Sequence, residues 1–190
     1  MQPIDQIIHQ RRSHFLPDFS GDKVPDSLIH RLLENAHQAP SHKATFPWRF
    51  CVFSGPALER LSMEMVHWQE QQPDAAVFSP EKRAKILSYP QKLSHVIGLG
   101  VHISGKVPAW EEDAALAMAV QNIYLTLVEE PHAAGYWSTG NGTGSETMSK
   151  LCGFDTETIH RGWCLIGHVE TKRTQAGRPP LEQVVNWFAR

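Results

Sequence analysis

The sequence predicts an α+β sandwich, in which helices pack on a β-sheet. Two observations support this fold class: segments with helical and with strand-like periodicity are intermixed along the chain, and few of them follow the βαβ order of a parallel sheet. Composition is a third, because 190 residues with 41% hydrophobic and 20% charged residues can form a substantial core. We therefore expect one domain that spans residues 1–190.

The first three helices are predicted from the spacing of apolar residues. A short apolar face over residues 4–8 indicates the first helix, and Pro25 and Pro40 mark the start and end of the second. An amphipathic pattern predicts a third helix over residues 58–71.

The segment over residues 72–92 is polar and contains three prolines. We expect a mobile excursion with some helix near residues 81–87. Such an insertion could act as a lid over a site, since long surface segments often carry function.

Four segments carry the signals of strands. Residues 48–53 alternate large and small side chains, and residues 163–169 form a second clear apolar run. Residues 95–104 are almost continuously apolar, which predicts a central strand that is buried on both faces. Residues 136–139 indicate a short strand or turn.

One predicted helix, over residues 114–128, is apolar almost all the way round. A helix without a polar face is buried, and a chain of this size cannot easily bury it on every side. This pattern therefore predicts a dimer interface. The apolar segment over residues 181–188 is also expected to be docked, with a partner subunit as one candidate surface.

Charge and hydropathy exclude several classes of protein. The net charge is −2 and the isoelectric point is near 6.6, so no excess of basic residues indicates nucleic-acid binding. No apolar run reaches the length of a membrane span, and residues 1–5 lack the apolar core of a signal peptide.

The cysteines and histidines indicate neither disulfides nor a metal. Cys51, Cys152 and Cys164 are widely spaced and odd in number, which favours a reduced, cytoplasmic protein. Eleven histidines include no HExxH pattern, so we predict no metal site.

A phosphorylated cofactor is predicted from three basic segments. Arg11-Arg12-Ser13 offers fork-shaped guanidinium donors and a hydroxyl, although alone it is more simply a solvated helix end. The turn over residues 39–48 carries His42 and Lys43 into a strand, and Arg178 lies in a rigid Gly-Arg-Pro-Pro loop. Together these segments favour a bound phosphate.

Other candidate motifs fail their tests. The run Gly140-Asn141-Gly142-Thr143-Gly144-Ser145 has serine where a dinucleotide-binding motif needs its third glycine, so we interpret it as a flexible loop and a candidate border of the site. No Ser-His-Asp or Cys-His set can be assembled from the spacing. The absence of an acid–base set suits a protein whose cofactor carries the chemistry.

The motifs resemble the nitroreductase family of flavin enzymes, and more narrowly its small single-domain bacterial members. The matching segments keep the family's order and cover nearly the whole chain. They are Arg11-Arg12-Ser13, Ala39-Pro40-Ser41-His42-Lys43 with Pro47-Trp48, Lys106-Val107-Pro108-Ala109-Trp110-Glu111, Trp137-Ser138-Thr139-Gly140 and Gly177-Arg178-Pro179-Pro180.

The resemblance implies an α+β sandwich whose central, mostly antiparallel sheet carries helices on both faces. It also implies an intertwined homodimer with one FMN in each of two sites at the subunit interface. The implied cofactor-binding residues are Arg11, Ser13 and Arg178 at the phosphate with Arg12 close by, His42 at the ribityl chain or ring, and Trp137, Ser138 and Thr139 along the flavin wall; Ser41 and Lys43 are weaker candidates.

Two positions depart from the family pattern. Many members have asparagine and glutamine shortly before the Pro-Trp pair, where this chain has Ala44 and Phe46. These side chains cannot make the hydrogen bonds usually directed at the flavin ring from there. Backbone groups or the second subunit would have to replace them.

The resemblance implies an FMN-dependent oxidoreductase that uses NADH or NADPH to reduce small acceptors such as nitroaromatics or quinones in ping-pong order. The flavin carries the chemistry, so no side chain is assigned a catalytic role. Because Ala44 and Phe46 depart from the pattern, a flavin-binding sensor or storage protein without turnover is the alternative. A non-flavin interaction domain ranks last, since it requires every motif to be a coincidence.

Overall fold

The computed structural model describes residues 2–73, 78–174 and 177–188. Its centre is one four-stranded sheet with the order β1-β2-β4-β3, and every neighbouring pair is antiparallel. The strands are β1 (Trp48–Ser54), β2 (His95–His102), β3 (Ala133–Ser138) and β4 (Thr158–His168). This arrangement confirms the predicted antiparallel sheet.

The helices lie on both faces of the sheet, as the fold class predicts. They are α1 (Pro3–Gln10), α2 (Asp26–His37), α3 (Pro56–Glu70), α4 (Pro80–Leu87), α5 (Tyr89–Lys92), α6 (Ala109–Glu129) and α7 (Glu146–Leu151). Short 3-10 turns cover Leu16–Asp18, His42–Ala44 and Leu181–Gln183. None of the described helices has both the length and the apolar character that crossing a bilayer requires.

Two apolar layers follow from the alternation of side chains along the strands. Ile97 and Leu99 of β2 point to the layer that packs against α2 and α6. Val96, on the opposite face of the same strand, packs into the layer formed with α3, α4, α5 and α7. All but the last residue of β2 is buried, so the predicted central position of this strand is confirmed.

The structure confirms the helix expected near residues 81–87 and corrects the prediction that residues 72–92 form a mobile excursion. Most of residues 78–92 belong to α4 and α5, which pack against α3 through the buried side chains of Ile86 and Tyr89. Those apolar residues and Leu93 recur at helical spacing, and the surrounding lysines and prolines hid this pattern. Residues 74–77 lie outside the described part of the chain.

Helix α6 is longer than predicted, and one of its faces is not covered by this chain. Ala115, Ala119 and Ile123 are buried against the sheet, whereas Met118 is 40% exposed and Trp110 is 69% exposed. These apolar side chains are exposed to water, although the rest of the helix lies in the core. This agrees with the predicted dimer interface, which stays a prediction.

His160 of β4 is a fully buried histidine. Its ring centre lies 4.2 Å from that of Trp163, and its backbone carbonyl accepts a hydrogen bond from the Gly144 amide at 2.8 Å. Burial lowers the pKa of His160 from 6.5 to about 4, because the charged imidazolium would lose its hydration.

The buried histidine predicts that stability falls in mild acid. Between pH about 6.5 and about 4 the unfolded chain binds a proton at His160 that the folded chain does not, so the free energy of unfolding decreases as pH falls. The loss from this one group approaches about 3 kcal/mol at pH 4. Urea unfolding at pH 7 and pH 5 should show a smaller decrease in His160→Gln than in the wild type.

The control for this experiment is His30→Gln, because His30 is exposed on α2. This variant should keep the full pH dependence of the wild type. The same decrease in His160→Gln as in the wild type would contradict a neutral buried His160.

Candidate functional site

One cavity brings together the arginines predicted to hold a phosphate. Its volume is about 770 Å³, and we call it the clamp cavity. It is lined by the following residues: Ile8, His9, Arg11, Arg12, Ser13, Gln121, Tyr124 and Arg178. The convergence of Arg178 with residues 11–13 joins the two ends of the chain, as the sequence interpretation required.

The segment after α1 is fixed along the outer edge of β3. The His14 amide donates a hydrogen bond to the carbonyl of Gly135 at 3.3 Å. The His14 imidazole in turn accepts one from the Arg173 amide at 2.8 Å. Burial lowers the pKa of His14, which favours the neutral ring that can accept this bond. Arg11 and Ser13 are thereby held beside the edge strand.

Tyr124 of α6 connects the clamp cavity with the predicted flavin wall. The guanidinium of Arg11 lies 5.1 Å from the centre of the Tyr124 ring, within the range of a cation–π contact. The Tyr124 hydroxyl accepts a hydrogen bond from the Trp137 amide at 2.6 Å. Burial raises the pKa of Tyr124, so the phenol stays protonated.

Arg12 has a structural role that the sequence did not reveal. Its guanidinium donates to the carbonyls of His9 at 2.6 Å, Arg11 at 2.7 Å and Thr174 at 2.9 Å. These bonds tie the end of α1 to the segment before Arg178. Most donors of Arg12 are therefore engaged, which leaves Arg11 and Arg178 as the better candidates for an anion.

His42 does not join the clamp cavity within one chain. Its imidazole pairs with the carboxylate of Glu111, in the first turn of α6. Gln121 and Tyr124 lie about 15–20 Å further along that helix, at about 1.5 Å per residue. Within one chain, His42 is therefore far from the arginines of the clamp cavity.

The turn that carries His42 has an unusual backbone. Lys43, Ala44 and Phe46 have φ angles of 52°, 51° and 43°, in the left-handed region that residues with a side chain rarely adopt. The Ser41 hydroxyl supports the turn by accepting from the Phe46 amide at 3.0 Å. Both positions that depart from the family pattern, Ala44 and Phe46, thus lie in strained conformations.

The predicted flavin wall lies at the end of β3. Trp137 is half-buried, and its indole N–H donates to the carbonyl of Arg161 at 3.0 Å. Ser138 points to the opposite face of the sheet, because side chains alternate along a strand. Thr139 is exposed just beyond the strand. Ser138 lines a cavity on that face, whereas Trp137 packs against the apolar layer of α2 and α6.

Two groups of residues escaped the sequence interpretation. Gln121 and Tyr124 line the clamp cavity, and the only signal was a polar or phenolic side chain inside an otherwise apolar helix. Asp22, His168 and Glu170 place one possible metal-ligating atom each within 4.8 Å of one another. Their wide separation in sequence concealed that cluster, which lies at the C-terminal end of β4.

Comparison with known proteins shows the family to which the chain belongs. The sequence profile of the Nitroreductase family matches residues 8–168. YdjA of Escherichia coli (strain K12), whose name assigns it provisionally to the NAD(P)H nitroreductases, is 24% identical over 194 residues. The match covers 99% of this chain and 100% of that protein.

Solved structures share the fold along nearly the whole chain. A nitroreductase-like family protein from Bacillus cereus superposes with a TM-score of 0.81 at 20% identity, covering 99% of this chain and 97% of that one. A nitroreductase with bound FMN from Bacteroides fragilis NCTC 9343 has a TM-score of 0.76 at 15% identity, with full coverage of both chains. The fold is therefore of the nitroreductase-like α+β class. Because the profile spans most of the sequence, the chain belongs to the Nitroreductase family.

The left-handed turn predicts a stabilising glycine substitution. Ala44→Gly removes the Cβ atom that makes φ of 51° unfavourable, and it should raise the free energy of unfolding by roughly 0.5–1 kcal/mol. Urea unfolding measures the change.

The matched control is Ala84→Gly, at an exposed position inside α4. It should lower stability by roughly 0.5–1 kcal/mol, because glycine is unfavourable in a helix. A loss of similar size at Ala44 would show that this turn is not left-handed in solution.

Proposed function

We propose that this chain is an FMN-dependent oxidoreductase that uses NADH or NADPH to reduce a small acceptor such as a nitroaromatic or a quinone. The observation that carries the proposal is the clamp cavity, where Arg11, Ser13 and Arg178 meet. The FMN bound in the Bacteroides fragilis relative and the NAD(P)H in the name of the Escherichia coli relative support the same reading.

The lining of the clamp cavity fits a phosphate monoester. Arg11 and Arg178 supply fork-shaped donors that match phosphate oxygens, and the Ser13 hydroxyl adds a short donor. Among the described residues that line the cavity there is no carboxylate to repel the anion. A volume of about 770 Å³ also lies within the usual range for ligand sites.

The residues of the chain hold and orient the cofactor in this proposal. When bound, FMN would supply the hydride chemistry, and the nicotinamide nucleotide and the acceptor would use it in turn. Arg11, Ser13 and Arg178 hold the phosphate. The end of β3, with Trp137, Ser138 and Thr139, forms the wall of the ring site. Arg12 holds the segment before Arg178 in place.

We further propose that two copies form a homodimer, which would complete the site. Four exposed apolar side chains, Ile8, Met118, Val184 and Trp187, lie on α1, on α6 and in the C-terminal segment. Contact with a second copy would remove these surfaces from water. Such contact could also bring His42 of the partner subunit to the clamp cavity, which His42 does not reach within one chain.

The three free thiols of the chain fit a reducing setting. Cys51, Cys152 and Cys164 are all free, and free cysteines are the rule in the cytoplasm. We therefore propose a cytoplasmic enzyme whose single FMN-binding domain spans residues 1–190.

The phosphate assignment predicts the effect of Arg178→Ala. Loss of a charge-assisted hydrogen bond should weaken FMN binding by roughly 1.5–3 kcal/mol. Titration of the apoprotein with FMN, followed by flavin fluorescence, measures the dissociation constant.

Arg31→Ala is the matched control, because Arg31 pairs with Glu130 on the surface and does not line the clamp cavity. Its FMN affinity should equal that of the wild type. An unchanged affinity in Arg178→Ala would remove Arg178 from the phosphate site.

The proposed dimer predicts that Met118→Glu dissociates the protein. A carboxylate on the exposed face of α6 would be buried without a partner in the interface, so the variant should be monomeric and bind FMN more weakly. Size-exclusion chromatography with light scattering measures the mass.

Met63→Glu is the comparison, since Met63 is 58% exposed on α3. This variant should remain dimeric. A wild-type protein with the mass of a single chain would refute the dimer.

Ala44 and Phe46 keep a second function under consideration, a flavin-binding protein without turnover. One absorbance experiment separates the two. The purified protein should be yellow, and NADPH added without oxygen should bleach it. A yellow protein that neither NADPH nor NADH bleaches would indicate a sensor or storage role, and a colourless protein that takes up no FMN would refute both functions.

A further inference from the structure

A second cavity, of about 360 Å³, lies between the end of β3 and helices α3, α4 and α5. We call it the β3-end cavity. The residues that line it are Gln69, Phe78, Lys82, Lys85, Ile86, Tyr89, Tyr136, Ser138, Gly140 and Asn141. Its volume lies near the lower limit of small-molecule sites, which suits a ligand with one or two rings.

The neutral part of the lining is held in a fixed arrangement. The Asn141 side chain donates to the Tyr89 hydroxyl at 3.3 Å and accepts from the Gln69 amide at 3.2 Å. Burial raises the pKa of Tyr89, so this hydroxyl carries no charge. Ile86 and Tyr136 supply an apolar wall. An aromatic ligand would therefore meet a preformed surface.

The charge of the lining has one sign. Lys82 and Lys85 lie three residues apart on α4, so their side chains are neighbours on one face of the helix. Arg83, between them, is paired with Glu70 and does not line the cavity. No carboxylate belongs to the described lining. Two ammonium groups beside an apolar wall are suited to an anion with a ring.

The β3-end cavity adjoins the predicted flavin site. Ser138 lines the cavity and also belongs to the predicted flavin wall. A ligand here would contact the end of β3 from the face opposite Trp137. This position suits the molecule that exchanges electrons with the flavin.

We infer that the β3-end cavity binds the electron acceptor, and that Lys82 and Lys85 favour an aromatic acceptor with an anionic group such as a carboxylate. The inference rests on the proposed flavin-dependent function. The phosphates of a nicotinamide nucleotide share this anionic chemistry. The small volume favours the acceptor over the much larger dinucleotide.

The test compares two acceptors of similar shape, 4-nitrobenzoate and the neutral 4-nitrobenzamide, at saturating NADPH. The wild-type kcat/KM should be higher for the anion, with the difference mainly in KM. In the Lys82→Gln/Lys85→Gln double variant, the preference for the anion should fall about threefold to tenfold, as expected for two partly exposed ion pairs.

Lys150→Gln serves as the control, because Lys150 pairs with Glu146 on the surface of α7. It should keep the wild-type preference. Calorimetric titration of the oxidised holoenzyme with each acceptor gives a second readout that does not need turnover. It should show the same loss of preference in the double variant.

Three outcomes would overturn the inference. Equal preference in the wild type and the double variant would remove the lysines from acceptor binding. If the double variant has a larger dissociation constant for NADPH in the anaerobic reductive half-reaction and an unchanged acceptor preference, Lys82 and Lys85 would be assigned to nucleotide phosphates. Absence of binding of either acceptor to the flavin-loaded protein would exclude the cavity as an acceptor site.

Failure of the proposed function has a different signature. It would appear as a protein that takes up no FMN or is bleached by neither NADPH nor NADH, before any acceptor is added. Flavin content and bleaching are therefore measured first, on the wild type and on both variants.

Discussion

The outer edge of β3 is the constraint on which the rest of the site depends. An edge strand exposes unpaired backbone groups, and this chain covers them without adding a fifth strand to the described sheet. The His14 amide binds the carbonyl of Gly135, and the Tyr124 hydroxyl accepts from the amide of Trp137. Satisfying the edge in this way places the end of α1 and one face of α6 beside the strand, which creates the clamp cavity.

The cations of the chain divide into structural ones and ones that remain accessible to a ligand. Arg12 is engaged by backbone carbonyls, and Arg161 and Arg173 pair with Asp113 and Asp18. Those groups rigidify the elements around the site. Arg11 and Arg178 instead line a cavity without a carboxylate in its described lining. The sequence shows only that all these residues are arginines. It could not separate the structural arginines from the accessible ones, because each role depends on contacts between distant parts of the chain.

The sequence predicted the fold class and most elements, and its errors have physical causes. Strand β2 was found because its apolar run is almost continuous. The first half of β4 was missed because Thr158 and His160 are polar yet buried, and the start of β3 consists of small residues that resemble a turn. The convergence of Arg11 with Arg178 was anticipated. The separation of His42 from them was not, since order along a chain does not show which side chains lie within reach.

The origin of the clamp cavity has a consequence for the timing of its assembly. Its walls come from residues 8–13, from α6 and from Arg178, so no partial chain contains a complete site. During synthesis the N-terminal arginines emerge long before the residue that faces them. Any ligand that needs both walls can therefore bind only after translation has passed Arg178.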